Sequence, residues 1–410
     1  MLFKDFSQDS NYSWFRLLVT FLIGASLNIG MWAIVIVLPE IQKEFDYDRA
    51  EVSVLVALTM FGFALGNFFL GKLVDRYGIV FTLIFSSILV LFGFLVTTNT
   101  SWFLVLGFCH VLIGLGTAAG FGPLMSDISF WFSKNRGIAV AIAASGNYVS
   151  GIIWPSLVTT LFDGSTNWRL QYILFGIIAA SISVPLAFLL RKNIENRFLE
   201  KDTQKAGQNL SGKLIYPKTL ILILLLASIS CCVAMSMPQI HIVALCVDLG
   251  FGSLVGTKML SLMLFGGVIS RVLSGIAVDY FGGLKVLFVG SSLQCLALFL
   301  YLPFDGLAPL YTVSLVFGLA QGGIVPSYAV IIREYLPAKR VASKIGLILM
   351  ATIFGMAFGG WISGYIYDVT GSYQLAFWNG ILWNMVNICL VFFLLSRGNS
   401  GKHKHLIVQN

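Results

Sequence analysis

A single arginine stands inside the apolar segment GGVISRVLSGIAVDYFGG (266–283). Arg271 is the only charged residue between Lys258 and Asp279, and at 1.5 Å rise per residue it lies about 12 Å from Asp279 along a helix. An arginine in hydrocarbon costs about 2.5 to more than 10 kcal/mol unless it faces water or a counter-charge. A guanidinium can also bind a carboxylate through two parallel hydrogen bonds. Arg271 is therefore the first candidate for binding a small organic anion, with an ion pair to an acid on another helix as the alternative.

The acids of the chain offer Arg271 no obvious partner. Of the 18 Asp and Glu residues, Asp127 alone lies clearly within an apolar span, and it lies near one end. We therefore expect a substrate anion to supply the counter-charge of Arg271. A single buried cation suits one carboxylate better than two, which favours a monocarboxylate.

His241, in the segment MPQIHIVAL (237–245), is the candidate for proton coupling and a further candidate for contact with the substrate. An unperturbed histidine titrates near pH 6.5, and the chain has no acid at the depth of Arg271. The alternative is a neutral histidine that hydrogen-bonds between helices. Gln239, two residues away, does not share a face of a regular helix with His241, although Pro238 could unwind the helix there. His110 is predicted to be structural.

Neutral polar and aromatic side chains in other spans are further candidates for contact with a carboxylate. Amides and hydroxyls can hydrogen-bond an anion without adding charge, and hydrogen bonding or packing between helices explains them equally well. The candidates are Asn28, Trp32, Asn147, Tyr148, Gln239, Gln321, Ser327 and Tyr328.

The composition requires a lipid environment for the elements that carry these residues. Hydrophobic residues make up 58% and charged residues 11% of the 410 residues, which is more apolar surface than one soluble core can bury. Apolar stretches of about 20 residues, the length of a membrane-spanning helix, recur along the chain. The predicted spans are 14–38, 50–71, 79–97, 102–130, 137–161, 168–190, 218–245, 253–277, 284–303, 307–331, 343–366 and 373–396.

The basic residues orient these spans in the membrane. With the N-terminus inside, only Lys43, Arg49, Arg169 and Lys258 of the 26 Lys and Arg residues fall in outer loops. This asymmetry follows the positive-inside rule and predicts an inner-membrane protein with both termini in the cytoplasm. The net charge of +8 then orients the chain and does not indicate nucleic acid. Six cysteines without metal-ligand spacing predict neither a metal site nor a cofactor.

The chain contains an internal repeat. GKLVDRYG (71–78) matches GIAVDYFG (275–282) at an offset of 204, and NWRLQY (167–172) lies opposite SYQLAF (372–377) at nearly the same offset. The repeat predicts an N-terminal six-helix half over 1–190, a cytoplasmic linker over 191–217 and a C-terminal six-helix half over 218–410. Such a duplication predicts a substrate site between the halves near the bilayer midplane.

The repeated loop resembles the signature of the major facilitator superfamily of secondary transporters. Gly71, Asp75, Arg76 and Gly78 match it between helices 2 and 3, and the second copy has Tyr280 where an arginine is expected. The resemblance implies an all-α fold of twelve transmembrane helices and a monomeric transporter that works by alternating access. It also implies gating roles at the cytoplasmic face, with solvated loop charges as the alternative. The residues expected to gate are Asp75, Arg76, Asp127 and Asp279.

Two narrower resemblances concern the substrate. Residues 114–151 are similar to the helix 4–5 region of monocarboxylate transporters, and residues 31–53 and 270–279 resemble the bacterial oxalate/formate antiporter. Both relatives carry a substrate-binding arginine at the place of Arg271. The antiporter's second cation is missing from ATIFGMAFGG (351–360), and the monocarboxylate transporters have an aspartate where this chain has Gly267. Their coupling chemistry therefore does not transfer directly.

These observations predict a secondary transporter of a small organic anion, a monocarboxylate, coupled by proton symport or anion exchange. No arrangement of residues typical of an enzyme is found. Two alternatives remain: an efflux protein for drugs or metabolites, and a membrane sensor that binds an anion without moving it. Efflux of cationic drugs is disfavoured because the first span has no carboxylate before Glu40.

Overall fold

The structure is a computed structural model that describes residues 7–46, 49–162, 167–192, 194, 196–212, 215–303, 305–337 and 340–397. Its helices are α1 (Asn11–Leu27), α2 (Ile29–Phe45), α3 (Arg49–Thr98), α4 (Phe103–Thr117), α5 (Gly122–Trp131), α6 (Arg136–Phe162), α7 (Trp168–Leu189), α8 (Asn196–Gly212), α9 (Pro217–Asp248), α10 (Ser253–Phe281), α11 (Gly283–Leu300), α12 (Leu307–Gln321), α13 (Ile324–Tyr335), α14 (Val341–Thr370) and α15 (Gln374–Ser396). A 3-10 turn, Ala118–Gly120, connects α4 to α5.

Among the described residues, eleven helical segments are long and apolar enough to span a membrane. The longest, Val54–Thr98, has 45 residues, about twice what the hydrocarbon core requires. Gly78 interrupts α3 with φ 83° and ψ 172°, a conformation open to glycine. The segment therefore contains two spans, which gives twelve in all and confirms the predicted all-α twelve-helix fold.

Besides the first span, which Asn28 divides into α1 and α2, two spans are broken near their middle. Phe103–Trp131 consists of α4, the 3-10 turn and α5, and Leu307–Tyr335 consists of α12 and α13 with Gly322 and Gly323 between them. Pro123 and Pro326 follow the two breaks at the start of α5 and α13. Because proline has no N–H, neither residue can extend the helical hydrogen-bond pattern back across the interruption.

The chain forms two compact units. Unit 1 comprises Met1–Ser133, Ile142–Leu199 and Lys339–Met350, and unit 2 comprises Lys134–Ala141, Glu200–Ala338 and Ala351–Asn410. The boundaries 1–190, 191–217 and 218–410 inferred from the sequence remain a prediction.

Close glycine contacts hold neighbouring helices together in both units. In unit 1, a Cβ at Gly114 of α4 would collide with the Thr59 carbonyl oxygen of α3. In unit 2, a Cβ at Gly318 of α12 would collide with the Met263 carbonyl oxygen of α10. Both pairs are related by the offset of 204 residues that relates the repeated loops. Small residues let membrane helices approach closely, so the repeat extends to the packing inside each unit.

The predicted linker contains an amphipathic helix, α8. Its Asp202 is 6% exposed and accepts hydrogen bonds from Arg136 at 2.8 Å and Arg333 at 2.6 Å. Asn209, further along α8, donates to the Glu334 carbonyl oxygen. These contacts, all within unit 2, fix a segment that the sequence analysis described only as a polar linker.

Candidate functional site

Arg271 lies on α10, where its side chain is buried. The residue is 3% exposed, and its Nε donates to the Gly322 carbonyl oxygen at 3.4 Å. In a continuous helix that carbonyl would accept from the amide of residue 326, but Pro326 has no N–H. The break between α12 and α13 thus leaves a backbone oxygen that orients the guanidinium.

Close packing of α10 against the break brings these groups together. A Cβ at Gly322 would collide with the Gly267 carbonyl oxygen and lie 2.8 Å from the Ser270 Cβ, and a Cβ at Gly323 would collide with Ser274. Only glycine permits this separation of the two helices. The glycine pair GG (322–323) therefore determines which backbone atom Arg271 reaches.

Two glutamines lie beside the break. Gln239 Nε2 on α9 donates to Gln321 Oε1 at 2.9 Å. Gln321 is 1% exposed, and its Nε2 has no hydrogen-bond partner among the described residues. Burial of an amide donor without a partner costs about 1–3 kcal/mol, so this donor is expected to bind an acceptor. Gln321 directly precedes the residue that Arg271 contacts.

His241 connects α9 to two other elements of unit 2. Its Nε2 lies 2.9 Å from the Gly360 carbonyl oxygen of α14, and its Nδ1 lies 3.4 Å from the hydroxyl of Tyr373, which precedes α15. A carbonyl only accepts, so Nε2 carries the hydrogen in the neutral ring and Nδ1 accepts from Tyr373. Gln239 and His241 face different helices, as predicted. The helix α9 continues through Pro238 without unwinding.

Of the candidates in unit 1, Trp32 and Asn147 are in direct contact. Trp32 Nε1 donates to the Asn147 carbonyl oxygen at 3.2 Å, and the Trp32 ring lies against Gly151. Both hydrogens of Asn28 Nδ2 are used, by the carbonyl oxygens of Gly24 and Gly120. Asn147 Oδ1 is buried without a hydrogen-bond partner among the described residues, and Tyr148 is half-buried.

Tyr328 and Ser327 lie on α13 in unit 2. The Tyr328 hydroxyl donates to Cys231 Sγ at 3.5 Å, and Ser327 Oγ donates to the Gly323 carbonyl oxygen within its own turn. Tyr328 is fully buried. In the described contacts both residues serve helix packing.

The two signature aspartates each cap the N-terminus of a helix. Asp75 accepts from the backbone amides of Ala342 at 3.1 Å and Ser343 at 2.9 Å, at the start of α14. Asp279 accepts from the amides of Gly137 and Ile138 at the start of α6. A carboxylate at this position satisfies free N–H groups and interacts with the helix dipole.

The other two expected gating residues have different partners. Asp127 forms an ion pair with Arg16 of α1 at 2.8 Å, and the Arg16 side chain is 1% exposed. The Arg76 guanidinium lies 5.1 Å from the centre of the Tyr77 ring. The pairing of Asp127 with Arg16 shows that this acid stabilises the interior of unit 1.

The family profile of the Major Facilitator Superfamily matches residues 20–275 and 224–407. The chain belongs to this superfamily. It is therefore a multi-pass membrane transporter and not an enzyme, and the resemblance seen in the loop residues is confirmed. The helix caps made by Asp75 and Asp279 belong to the two copies of the superfamily's signature loop.

Individual superfamily members are related to this chain at low identity. Monocarboxylate transporter 13 of Rattus norvegicus is 25% identical over 92% of this chain and 87% of the rat protein. The agnestins efflux protein AgnL12 of Paecilomyces divaricatus is 23% identical over 86% of this chain and 79% of the fungal protein. The solved structure of the human organic anion transporter MFSD10 (TETRAN) superposes with a TM-score of 0.72 at 15% identity, covering 92% of this chain and 99% of that one.

Three side-chain pairs of the structure were not predicted from the sequence: Arg16 with Asp127, Arg333 with Asp202, and Tyr373 with His241. Arg16 and Asp127 both fall inside predicted spans, which is a usable signal for this pair. Arg333 and Asp202 pair across 131 residues, and Tyr373 and His241 pair across 132. No local pattern in the sequence indicates contacts at that separation.

Proposed function

We propose that the chain is a secondary transporter of a small organic anion, a monocarboxylate, that binds its substrate at Arg271 and works by alternating access. The observation that carries the proposal is the buried guanidinium of Arg271, which donates to the carbonyl oxygen of Gly322, together with the adjacent residue Gln321, whose buried Nε2 has no hydrogen-bond partner among the described residues. A cation and an amide donor form a site for one carboxylate, because the carboxylate has two oxygens that accept hydrogen bonds.

The neighbours of Arg271 give the site its geometry. The Gly322 carbonyl accepts a hydrogen bond from Nε and so helps to fix the plane of the guanidinium. Gln239 holds Gln321 through Oε1 and so directs its Nε2 outward from the pair. We propose that the anion receives hydrogen bonds from both Arg271 and Gln321.

The other candidate residues are proposed to contact the substrate, couple transport or gate it. Asn28, Trp32, Asn147 and Tyr148 of unit 1, and Tyr328 of unit 2, are proposed as further substrate contacts. His241 is the candidate for proton symport, and anion exchange is the other mode of coupling. Asp75, Arg76, Asp127 and Asp279 are proposed to take part in gating. An inner-membrane location with cytoplasmic termini and a monomeric state complete the proposal.

The relatives bear on the substrate class in two ways. Similarity to a protein named monocarboxylate transporter 13 supports a carboxylate substrate. Similarity to a protein named for efflux of agnestins keeps export of a metabolite as a second candidate function. Monocarboxylate transport and metabolite export would both use the buried cation Arg271. Identifying the transported substrate therefore distinguishes the two candidate functions.

Uptake into proteoliposomes tests the proposal. Radiolabelled lactate, pyruvate, acetate, formate and oxalate are offered with and without a pH gradient. Arg271→Ala is expected to reduce kcat/KM at least about 30-fold, since loss of a paired buried charge costs about 2 kcal/mol or more. Arg271→Lys keeps the charge but loses the planar fork and is expected to recover part of the activity.

Gln321→Leu and Gln294→Leu form a matched pair for the amide. Both residues are buried glutamines of unit 2, but Gln294 donates to the Cys231 carbonyl oxygen and lies on α11. Only Gln321→Leu is expected to raise KM. Normal transport by Arg271→Ala would overturn the proposed site, and binding without uptake in the wild type would favour a sensor.

A further inference from the structure

A cavity of 280 Å³ lies at one end of unit 2, the end that the predicted topology assigns to the outside. The ends of α9, α11 and α14 and the start of α15 surround it, and Asp248, Asp305 and Tyr373 are among its lining residues. Tyr367 stacks on Tyr373 with 4.3 Å between ring centres. The cavity thus has carboxylates and stacked phenol rings in its wall.

Tyr373 connects this cavity to the interior of the unit. It lines the cavity, and its hydroxyl lies 3.4 Å from His241 Nδ1. The other ring nitrogen of His241 is bound to the Gly360 carbonyl oxygen. A proton that reaches His241 from the cavity must therefore arrive at Nδ1, where Tyr373 is the neighbouring group.

The charges around the cavity favour protons over organic anions. The titratable or charged groups that bear on Tyr373 and His241 are Asp248 on α9, Tyr301 and Asp305 after α11, and Tyr367 and Asp368 on α14. Lys258, a charged residue on the neighbouring helix α10, is exposed. Two carboxylates in the lining attract cations and repel a substrate carboxylate.

The hydroxyl of Tyr373 keeps its proton across the physiological range. Burial, followed by the charge of Asp248, raises the pKa of Tyr373 to about 12. A neutral hydroxyl can accept one hydrogen bond while it donates another, which is the property that a proton relay requires.

We propose that this cavity is the proton entry of the transporter and that Tyr373 passes the proton to His241. The inference rests on the proposed function in its proton-symport form. A hydronium ion in the cavity gives a proton to the Tyr373 oxygen as the hydroxyl proton moves to Nδ1. The products are water, a neutral Tyr373 and an imidazolium that keeps its Nε2–H bond to Gly360. The anion is bound at Arg271, so the proton and the anion use different groups of unit 2.

The first test separates proton movement from anion movement in proteoliposomes with lactate as the probe. Tyr373→Phe removes the relay hydroxyl, and Tyr172→Phe is the matched control because Tyr172 hydrogen-bonds His110 at 3.2 Å in unit 1. Tyr373→Phe is expected to slow uptake driven by a pH gradient about tenfold, in the lower range of general acid–base effects. Exchange of internal for external lactate is expected to change less than about twofold, because it needs no net proton transfer. Equal gradient-driven rates in the two variants would overturn the relay.

The second test does not depend on the substrate. Histidine labelled with ¹⁵N gives few signals because the chain has four histidines, and His241→Gln identifies the signal of His241. The neutral ring is expected to be protonated at Nε2, and its proton exchange with water is expected to slow about tenfold in Tyr373→Phe but not in Tyr172→Phe. Unchanged exchange contradicts the relay. If the wild type carries no probe anion, the proposed function fails while this measurement still decides the proton route.

Discussion

Pro326 affects the orientation of Arg271, a role that the sequence does not predict. Because Pro326 has no N–H, the Gly322 carbonyl stays outside the helical hydrogen-bond pattern. Arg271 Nε donates a hydrogen bond to that carbonyl oxygen. The orientation of the guanidinium therefore depends on a proline five residues after Gln321. A residue with an amide at position 326 would compete with Arg271 for the same acceptor.

Pro326→Ala tests this competition. The new amide can hydrogen-bond the Gly322 carbonyl, which frees Nε and lets the guanidinium turn. We expect KM for the transported anion to rise about fivefold, the equivalent of one hydrogen bond of about 1 kcal/mol, with kcat little changed. The measurement is initial uptake rate against anion concentration in proteoliposomes.

Pro309→Ala is the control for this substitution. Pro309 is likewise the third residue of its helix, α12, but the residue before that helix, Gly306, is extended (φ −80°, ψ 151°), so no helical carbonyl precedes it to accept from an amide at 309. It is expected to leave KM unchanged. Equal values of KM for Pro326→Ala and the wild type would show that Gly322 does not orient Arg271.

The residues of the site differ in how far the sequence predicted them. Arg271 and Gln321 could be found because a charge or an amide within an apolar span has few explanations. Arg16 and Asp127 could have been paired, since each is a charge within a predicted span, although 111 residues separate them. Tyr373 has no signal of its own, because tyrosines are common at the membrane interface.

At the scale of the elements, the signature aspartates act on helix ends. Asp75 caps α14 and Asp279 caps α6, each through two backbone amides. Capping links a loop to the first turn of a helix far away in the sequence, and it depends on the carboxylate rather than on the arginine of the motif. Tyr280, which replaces that arginine in the second copy, is 81% exposed and leaves the cap of Asp279 intact.

Removal of either cap is expected to lower stability by a similar amount. Asp75→Ala and Asp279→Ala each leave two amides without their acceptor, at a cost of about 1 kcal/mol. Asp75→Asn keeps one accepting oxygen and is expected to lose less. Melting temperatures of the purified variants in detergent measure the effect, and Arg76→Ala serves as the control with a change within about 0.5 kcal/mol. Stability of Asp75→Ala equal to that of Arg76→Ala would contradict the capping role.

A second connection between elements depends on pH. Glu44 near the end of α2 forms an ion pair with Arg169 at the start of α7 and accepts a hydrogen bond from Trp168 at 2.6 Å. The hydrogen bond from Arg169 holds the pKa of Glu44 below its usual value. Because the folded pKa is lowered, this stabilisation is present above the unfolded pKa of about 4.3 and is lost as the pH falls through the folded value.

Glu44→Gln isolates this contribution. The variant is expected to be less stable than the wild type at pH 7, and the difference is expected to shrink on acidification to about pH 3, where the wild-type carboxyl is protonated. The effect is small because the Glu44 side chain is 38% exposed and solvent screens the pair. Thermal melts of both proteins over this pH range give the difference, and a constant difference would contradict it.

The membrane-spanning helices were predictable because their hydropathy alone marks them. The predicted spans ending at 71 and beginning at 79 flank Gly78, where the backbone turns between two helices. The amphipathic helix α8 was not predicted. The spans were found from their hydropathy, and a polar segment such as α8 has no apolar stretch to mark it. Its order comes from the buried Asp202 and two arginines distant in the chain.

For the whole molecule, the internal repeat includes matching helix contacts as well as matching sequence. Gly114 and Thr59 in unit 1 have the same relation as Gly318 and Met263 in unit 2. The offset of 204 could be read from the signature loop, but the close helix contacts that share it could not, because single glycines in apolar spans are common. Two units that use the same glycine contact should respond alike when it is removed.

Gly114→Ala and Gly318→Ala test this expectation. In each, the new methyl group meets a backbone carbonyl oxygen that cannot move aside, and overpacking of this kind costs about 1–3 kcal/mol. Both variants are therefore expected to melt at lower temperature than the wild type, by similar amounts. Gly207→Ala on the exposed face of α8 is the control, since nothing lies within 4 Å of its Cβ and alanine is the better helix former by up to about 1 kcal/mol. Its melting temperature should equal or exceed that of the wild type. If either Gly114→Ala or Gly318→Ala melts like the wild type, the two units do not share this packing and the repeat is confined to their loops.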